Sequence, residues 1–448
     1  MIPRVVLRIL MPLSVAFTRP TFQRVLMLFL GAVLLRGKRS VTAALGVLGK
    51  LAQGHFSSYH RVFSRARWSL FAPARVLAAL VIALAEEHNP TKWIAVVGDD
   101  TVLQAKGKKV YGKARHHDAV RSTHRLTVWR WGHRWVVLAI VVFFPWTTRG
   151  WALPVLVALY RSQELNESEG RRHKTPIELA QGLFALLLRW FPDKKFVFLG
   201  DGAYASHQFA RFFDRHRRRA ALVARFYGDA ALYEAPPKYR GVGRPRVKGE
   251  KLPTPCQYVA GARLKKVTVP WYGGGKRRVA LATACGHWYR AGQGLVPLRW
   301  VFVRDLSGQR REEFFFTTAT SFSAKRIIYL YTLRWSIETT FQELRAHLGL
   351  ETTRGWCRQT VLRMAPCLFA LFTIVSLIYH QLHQRGQARL YHRPGYHKSQ
   401  PTFADAIATV RRACWQEILF SQPRNRQAVK KLPRRFRQLL LDALCQPL

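Results

Sequence analysis

The sequence predicts an α/β fold: a mixed sheet with helices packed on it, extended by a β-rich insertion and flanked by helical regions at both ends. Three observations predict it. Of 448 residues, 49% are hydrophobic and 12% aromatic, enough to bury a large core. Between Trp93 and Phe226 the order reads strand, strand, strand, helix, strand, helix, strand, as in a mixed sheet covered by helices. From Tyr258 to about Thr318, short apolar runs alternate with Gly-rich turns, whereas the segments up to Glu87 and from Ser323 onward are patterned as helices.

From Thr21 to Glu87, apolar runs are interrupted by Lys38-Arg39 and by the segment His55 to Arg61. That segment is dense in hydroxyl, imidazole and guanidinium groups, which suit either phosphate contact or a solvated helix face. The apolar runs at residues 25–35, 76–85 and 365–379 are shorter than the ~20 residues that span a bilayer, so they predict buried helices and no membrane association. Arg4, Arg8, Arg19 and Arg24, with no small-residue cleavage site, argue against a secretory signal.

Trp93-Ile94-Ala95-Val96-Val97 is a buried-strand run ending in Gly98-Asp99-Asp100-Thr101, before a basic loop with Lys106 and Lys108 placed to meet DNA. Arg125 to Phe144 reads as a hairpin turning near Gly132-His133, and His116-His117-Asp118 as a polar loop near DNA rather than a metal site. Thr175-Pro176-Ile177-Glu178 has the form of a capping box with proline at the first helical position, opening a helix to about Trp190. A strand over residues 196–200 ends at Asp201, followed by a helix from Phe209 to His216 and a strand from Ala221 to Phe226.

Residues 236–253 form a Gly/Pro-rich basic loop in which Lys238, Arg240, Arg244, Arg246, Lys248 and Lys251 face the single acid Glu250, and Arg244 and Arg246 are candidate DNA contacts. Strand runs follow at residues 267–270, 279–284, 300–303 and 314–317, before Ser323, a helix N-cap, opens helices to about Arg385. Five regions result: a helical N-terminal DNA-binding region (1–88), the first part of the core (89–227), the basic loop and insertion (228–320), the second part of the core (321–385) and a basic helical tail (386–448).

Charge narrows the function. Seventy-three Lys plus Arg against 24 Asp plus Glu leave +49, which argues against an ordinary metabolic enzyme and for a polyanionic partner, since each cation set on a phosphate releases a condensed counterion. Six scattered cysteines without a CxxC fit free thiols in a reducing cytosol and no structural zinc. Against that background Asp99, Asp201 and Glu338 stand out. Carboxylates at neighbouring strand ends can hold two Mg²⁺ ions about 3.5–4 Å apart for in-line attack on phosphorus. Around Glu338, the residues Tyr331, Arg334, Glu338 and Arg345 fall within ~60° on one helical face. An Arg334–Glu338 pair on a solvated surface, worth ~0.3 kcal/mol, is the competing reading.

Here the sequence resembles the bacterial insertion-sequence transposases of the DDE type marked by a Tyr-x2-Arg-x3-Glu-x6-Lys signature. It matches at Tyr331, Arg334 and Glu338 and departs at the last position, where Arg345 replaces Lys. The resemblance implies an RNase H-like catalytic core split by the β-rich insertion, with Asp99, Asp201 and Glu338 holding two Mg²⁺ (or Mn²⁺) ions per active site. Asp99, followed two residues later by Thr101, fits the family pattern, with Asp100 its rival. Tyr331, Arg334 and Arg345 would grip phosphates. Trp300 resembles the family's base-stacking Trp, with a core position in the insertion as the alternative, and Trp335 lies beside the signature Arg.

The implied activity is cleavage of transposon ends and joining of the 3′-hydroxyl to target DNA. The implied partners are double-stranded DNA and a second copy of the chain assembled on it, in a bacterial cytoplasm on the nucleoid. A structure-specific nuclease of the same fold that never joins strands, and a catalytically inactive DNA-binding derivative, are the rival readings.

Overall fold

The computed structural model describes residues 2–446 apart from 90, 119–121, 124–125, 240, 242, 393, 396 and 421–430. The N-terminal region folds into α1 (Arg4–Leu10), α2 (Arg19–Leu34), α3 (Val41–Leu48), α4 (Phe56–Ser64) and α5 (Phe71–His88). Ser40 starts α3 by accepting a hydrogen bond from the Ala43 amide, which satisfies one of the amides a helix leaves unpaired at its start. Phe22, Phe29 and Val33 of α2 and Leu77, Val81 and Ala85 of α5 bury into the main core.

The core sheet begins with β1 (Trp93–Gln104), β2 (Ala114–His117), β3 (Trp129–Val142) and β4 (Trp151–Tyr160). After α6 (Gln163–Glu167) and α7 (Pro176–Trp190) come β5 (Lys195–Leu199), α8 (His207–Arg215) and β6 (Ala220–Arg225). The capping box at the start of α7 is formed at both of its hydrogen bonds. Strand β1 is antiparallel to β3 and parallel to β5, which is parallel to β6, while β4 closes the far side of β3. The order β4-β3-β1-β5-β6 is an RNase H-like core with the two helix-linked strands beside the first strand.

Two local expectations are corrected. The chain does not turn at Gly132-His133: β3 runs straight through them, and the turn to β4 lies between Val142 and Trp151. Gly132 serves close approach instead, because a Cβ there would meet the Leu103 carbonyl oxygen of β1 at 2.1 Å. His116 and His117 lie in β2, where His116 is buried and His117 exposed, rather than in a loop.

The insertion contains β7 (Leu232–Tyr233), α9 (Pro255–Gly261), β8 (Lys265–Pro270), β9 (Lys276–Arg290), β10 (Gly294–Asp305) and β11 (Glu313–Thr317). Its strands do not make a separate sheet. Strand β11 pairs antiparallel with β6 through Phe315–Arg225, Phe316–Ala224 and Thr317–Val223, so core and insertion share one eleven-stranded sheet.

Ser323 then caps α10 (Ala324–Leu333), which leads into α11 (Trp335–Leu348), α12 (Arg358–Gln384), α13 (Phe403–Phe420) and α14 (Arg434–Cys445). The 27-residue α12 extends well beyond the apolar run seen in the sequence. Among the described residues it alone is long and apolar enough to cross a membrane, yet 72% of its most apolar stretch is buried within the protein, where it packs on β4, α1 and α13.

Candidate active site

Alternation along β1 sorts the two neighbouring acids onto opposite faces of the sheet. Asp99 and Thr101 face the helices α10 and α11. The Arg334 Nη1 lies 3.7 Å from Asp99 Oδ2, and Arg345 donates a hydrogen bond to the Thr101 hydroxyl. Asp100 points the other way and takes a bidentate pair from Arg134 of β3, at 2.6 and 2.9 Å. The rivalry between the two acids thus has a geometric basis: Asp100 has its own counter-ion, whereas Asp99 looks toward the other candidate residues.

Gly98 brings the neighbouring strand close. A Cβ at this position would fall 2.1 Å from the Phe198 ring of β5, so only glycine lets β5 carry its end up beside Asp99. Asp201 follows that end and accepts a hydrogen bond from the Ala203 amide at 2.9 Å, capping a short 3₁₀ turn. The crowding has an electrostatic signature. Burial first, then the charges of Asp100 and Asp201, push the Asp99 carboxyl up to about 7 against the pull of Arg334.

Arg334 sits at the joint between α10 and α11, where its amide bonds back to the Tyr331 carbonyl and tightens the helix. Its Nη2 donates to Glu338 Oε1 at 2.6 Å. Burial opposes the guanidinium's charge, but Glu338, Tyr331 and Asp99 outweigh it and hold Arg334 above its ordinary pKa. Arg334 is therefore the cation between Asp99 and Glu338. Arg345 is anchored on β1 through Thr101, with its Nε 3.7 Å from Glu351. The Tyr331 ring is 5% exposed and stacks on Phe315 at 4.1 Å between centroids, with the Arg334 guanidinium 6.0 Å from its centre, so it stays beside Arg334 with its ring packed as core.

Sequence reasoning missed three residues at the site. Tyr204 is fully buried, and its hydroxyl has no hydrogen-bond partner. Burial and then the charges of Asp99, Asp100 and Asp201 raise it well above an ordinary phenol, so it stays protonated. Its position three residues after Asp201 was the only available signal. Arg134 was visible as the last charge before the apolar run of β3. Tyr272, at the tip between β8 and β9, meets Trp335 edge-on at 6.0 Å and carries Arg310 over its ring at 4.3 Å; nothing in the sequence linked it to Arg334.

The remaining expected DNA contacts divide by exposure. Trp335 is 46% exposed, and Lys106, Lys108, Arg244 and Arg246 lie on exposed loops, while Arg240 falls outside the described residues. Trp300 is corrected to a core residue. It is 2% exposed, packed between Tyr258 and Phe314, and presents no free face to a base.

A family model described as DDE superfamily endonuclease matches residues 12–278, more than half of the chain, a stretch that contains Asp99 and Asp201 and ends before Glu338. The chain belongs to the DDE superfamily of endonucleases. No curated protein matches it. Among solved structures it is similar to the piggyBac transposase synaptic complex with hairpin DNA, at 10% identity and a TM-score of 0.42, covering 98% of this chain and 81% of that one. A likeness at that level bears on neither fold nor function.

Endonucleases of this superfamily generally use divalent metal ions, and the donors here fit one in part. Asp99 and Asp201 supply hard oxygen ligands, and the raised Asp99 is a carboxylate short of positive charge. Glu338 is paired to Arg334 instead, and among the described residues no three potential ligands converge. The expected three-carboxylate set is thus represented by a pair, with the third acid held on a guanidinium.

Proposed function

We propose that this DDE endonuclease is a DNA transposase that cleaves transposon ends and joins the freed 3′-hydroxyl to target DNA. The observation that supports this best is the convergence of Asp99, Asp201 and Arg334, with Glu338 one helical turn beyond Arg334. Asp99 and Asp201 would hold Mg²⁺ or Mn²⁺, which supplies activation of the attacking oxygen and stabilisation of the leaving one. Glu338, whose Oε1 is taken by Arg334, would join them through Oε2 or once that pair opens. A scissile phosphate is the anion suited to replace Glu338 on that guanidinium, since Arg binds phosphate and carboxylate with the same donor fork. Arg345, held by Thr101 two residues along β1 from Asp99, presents a second guanidinium on the same face of the strand, and Tyr204 lies behind the carboxylates as a neutral buried phenol.

The helices before residue 88, the loop with Lys106 and Lys108, the loop with Arg244 and Arg246 and the C-terminal tail would hold duplex DNA, in a dimer that brings two ends together in the bacterial cytoplasm. The test uses Asp201→Asn and Glu338→Gln with duplex DNA carrying the element's ends and with pre-cut ends plus a target plasmid. Cleavage and joining are expected to vanish in both variants while duplex binding persists. Unchanged metal-dependent cleavage would overturn the assignment. Cleavage by the unaltered protein without any joined product would leave a nuclease in place of a transposase.

A further inference from the structure

The ribbon formed by β2 and β3 carries an aromatic and basic strip that the active site does not use. Trp129 and Trp131 are 49% and 58% exposed. Lying two residues apart on one strand, they share a face about 6.8 Å apart. Across the ladder Arg115 pairs with Trp131 and His117 with Trp129. The Arg115 guanidinium lies 5.3 Å from the Trp129 ring centre, the Lys113 ammonium 5.4 Å from that of Trp131, and the His117 ring meets Trp129 edge-on at 5.8 Å. Inward of Trp135 the same strand is wholly buried, so these indoles are not a frayed piece of core. The carboxylate on the rim, Glu164, is occupied by its own backbone amide and by Ser162. Asp99 pairs with Val137, six residues from Trp131, which puts the strip roughly 20 Å from the carboxylates along the strand.

We infer that this strip is a stacking platform for unpaired DNA bases, separate from the carboxylate site. The inference rests on the DNA-processing reading above. Indoles offer flat π faces, and bases present such faces only when they are unpaired or at a duplex end. Lys113 and Arg115 beside them supply the phosphate contacts that a single strand also needs. A purely electrostatic patch needs no tryptophan, and a second copy of a chain of net charge +49 would bring like charge to the same place. Single-stranded DNA supplies both complements at once.

The experiment measures binding of the full chain, in EDTA, to a fluorescent single strand and to a closed circular duplex, which has no ends, for the unaltered protein, for Trp129→Ala with Trp131→Ala, and for Trp129→Phe with Trp131→Phe. The alanine pair is expected to weaken single-strand binding at least tenfold with less than a twofold change for duplex, and the phenylalanine pair to restore most of the loss. An equal loss for both DNAs, or no loss, overturns the platform. So does an alanine variant that turns from dimer to monomer in sedimentation while keeping its single-strand affinity, because the strip is then a self-association face. Duplex binding without single-strand binding by the unaltered protein sinks this inference alone, and binding of neither DNA sinks the proposed function with it.

Discussion

Replacing Asp99 by Asn separates what the residue contributes to chemistry from what it costs the fold. The Asp99 carboxyl ordinarily titrates at 3.8 and is pushed up to about 7 by burial and by its acidic neighbours. Below about pH 4 it is protonated in both the folded and the unfolded chain and costs nothing. Between about pH 4 and 7 the unfolded chain loses the proton and the folded one does not, so stability falls as pH rises. Above 7 the full penalty applies. At about 1.4 kcal/mol per pH unit this reaches about 4 kcal/mol, and the 20% exposure of the side chain, which lets water in, reduces it to roughly 2–4 kcal/mol. Asn keeps the shape and cannot ionise. In EDTA at pH 8, guanidinium unfolding should therefore show Asp99→Asn to be more stable than the unaltered protein by about that amount, with the gain gone by pH 4, while DNA cleavage in Mg²⁺ is abolished. A variant less stable than the parent at pH 8, or a gain that does not shrink with acid, would refute the crowding of Asp99 by Asp100 and Asp201.

Further outcomes follow from the same geometry. Arg134→Met strands Asp100, whose side chain is 19% exposed, and should cost about 2–3 kcal/mol; adding Asp100→Asn should recover most of it in denaturant unfolding. Trp300→Ala removes a core indole and should cost about 3–5 kcal/mol, with duplex affinity unchanged in titrations well below the unfolding midpoint. Changing Lys106 and Lys108 together to Ala should lower the slope of log affinity against log salt by about 0.9 for each phosphate that the loop no longer neutralises, and an unchanged slope would show that this loop does not touch DNA.

The parts legible in the sequence were those fixed by short-range chemistry. Thr175 with Glu178 and Ser323 with Arg326 start their helices within four residues, and the apolar strands ahead of Asp99 and Asp201 announce themselves by composition. Features that depend on neighbours across the sheet were not legible. Gly132 looked like a turn because glycine serves both turns and close strand contacts, and only the position of the Leu103 carbonyl decides between them. Trp300 and Trp335 are equally aromatic in the sequence, but one is enclosed by Tyr258 and Phe314 and the other is held at the surface beside Tyr272. The pairing of Asp100 with Arg134 joins residues 34 apart and required the register of β1 on β3.

The junction of β11 with β6 has a consequence for engineering. Strand β6 ends the RNase H-like order, and without β11 its row of amides and carbonyls would be free to pair with any passing strand. The insertion is therefore also a guard on a sticky edge. A version shortened by cutting from β7 through β11 would keep Asp99, Asp201 and Glu338 in its sequence and yet be expected to aggregate, whereas trimming the exposed residues 243–247 would leave that edge covered.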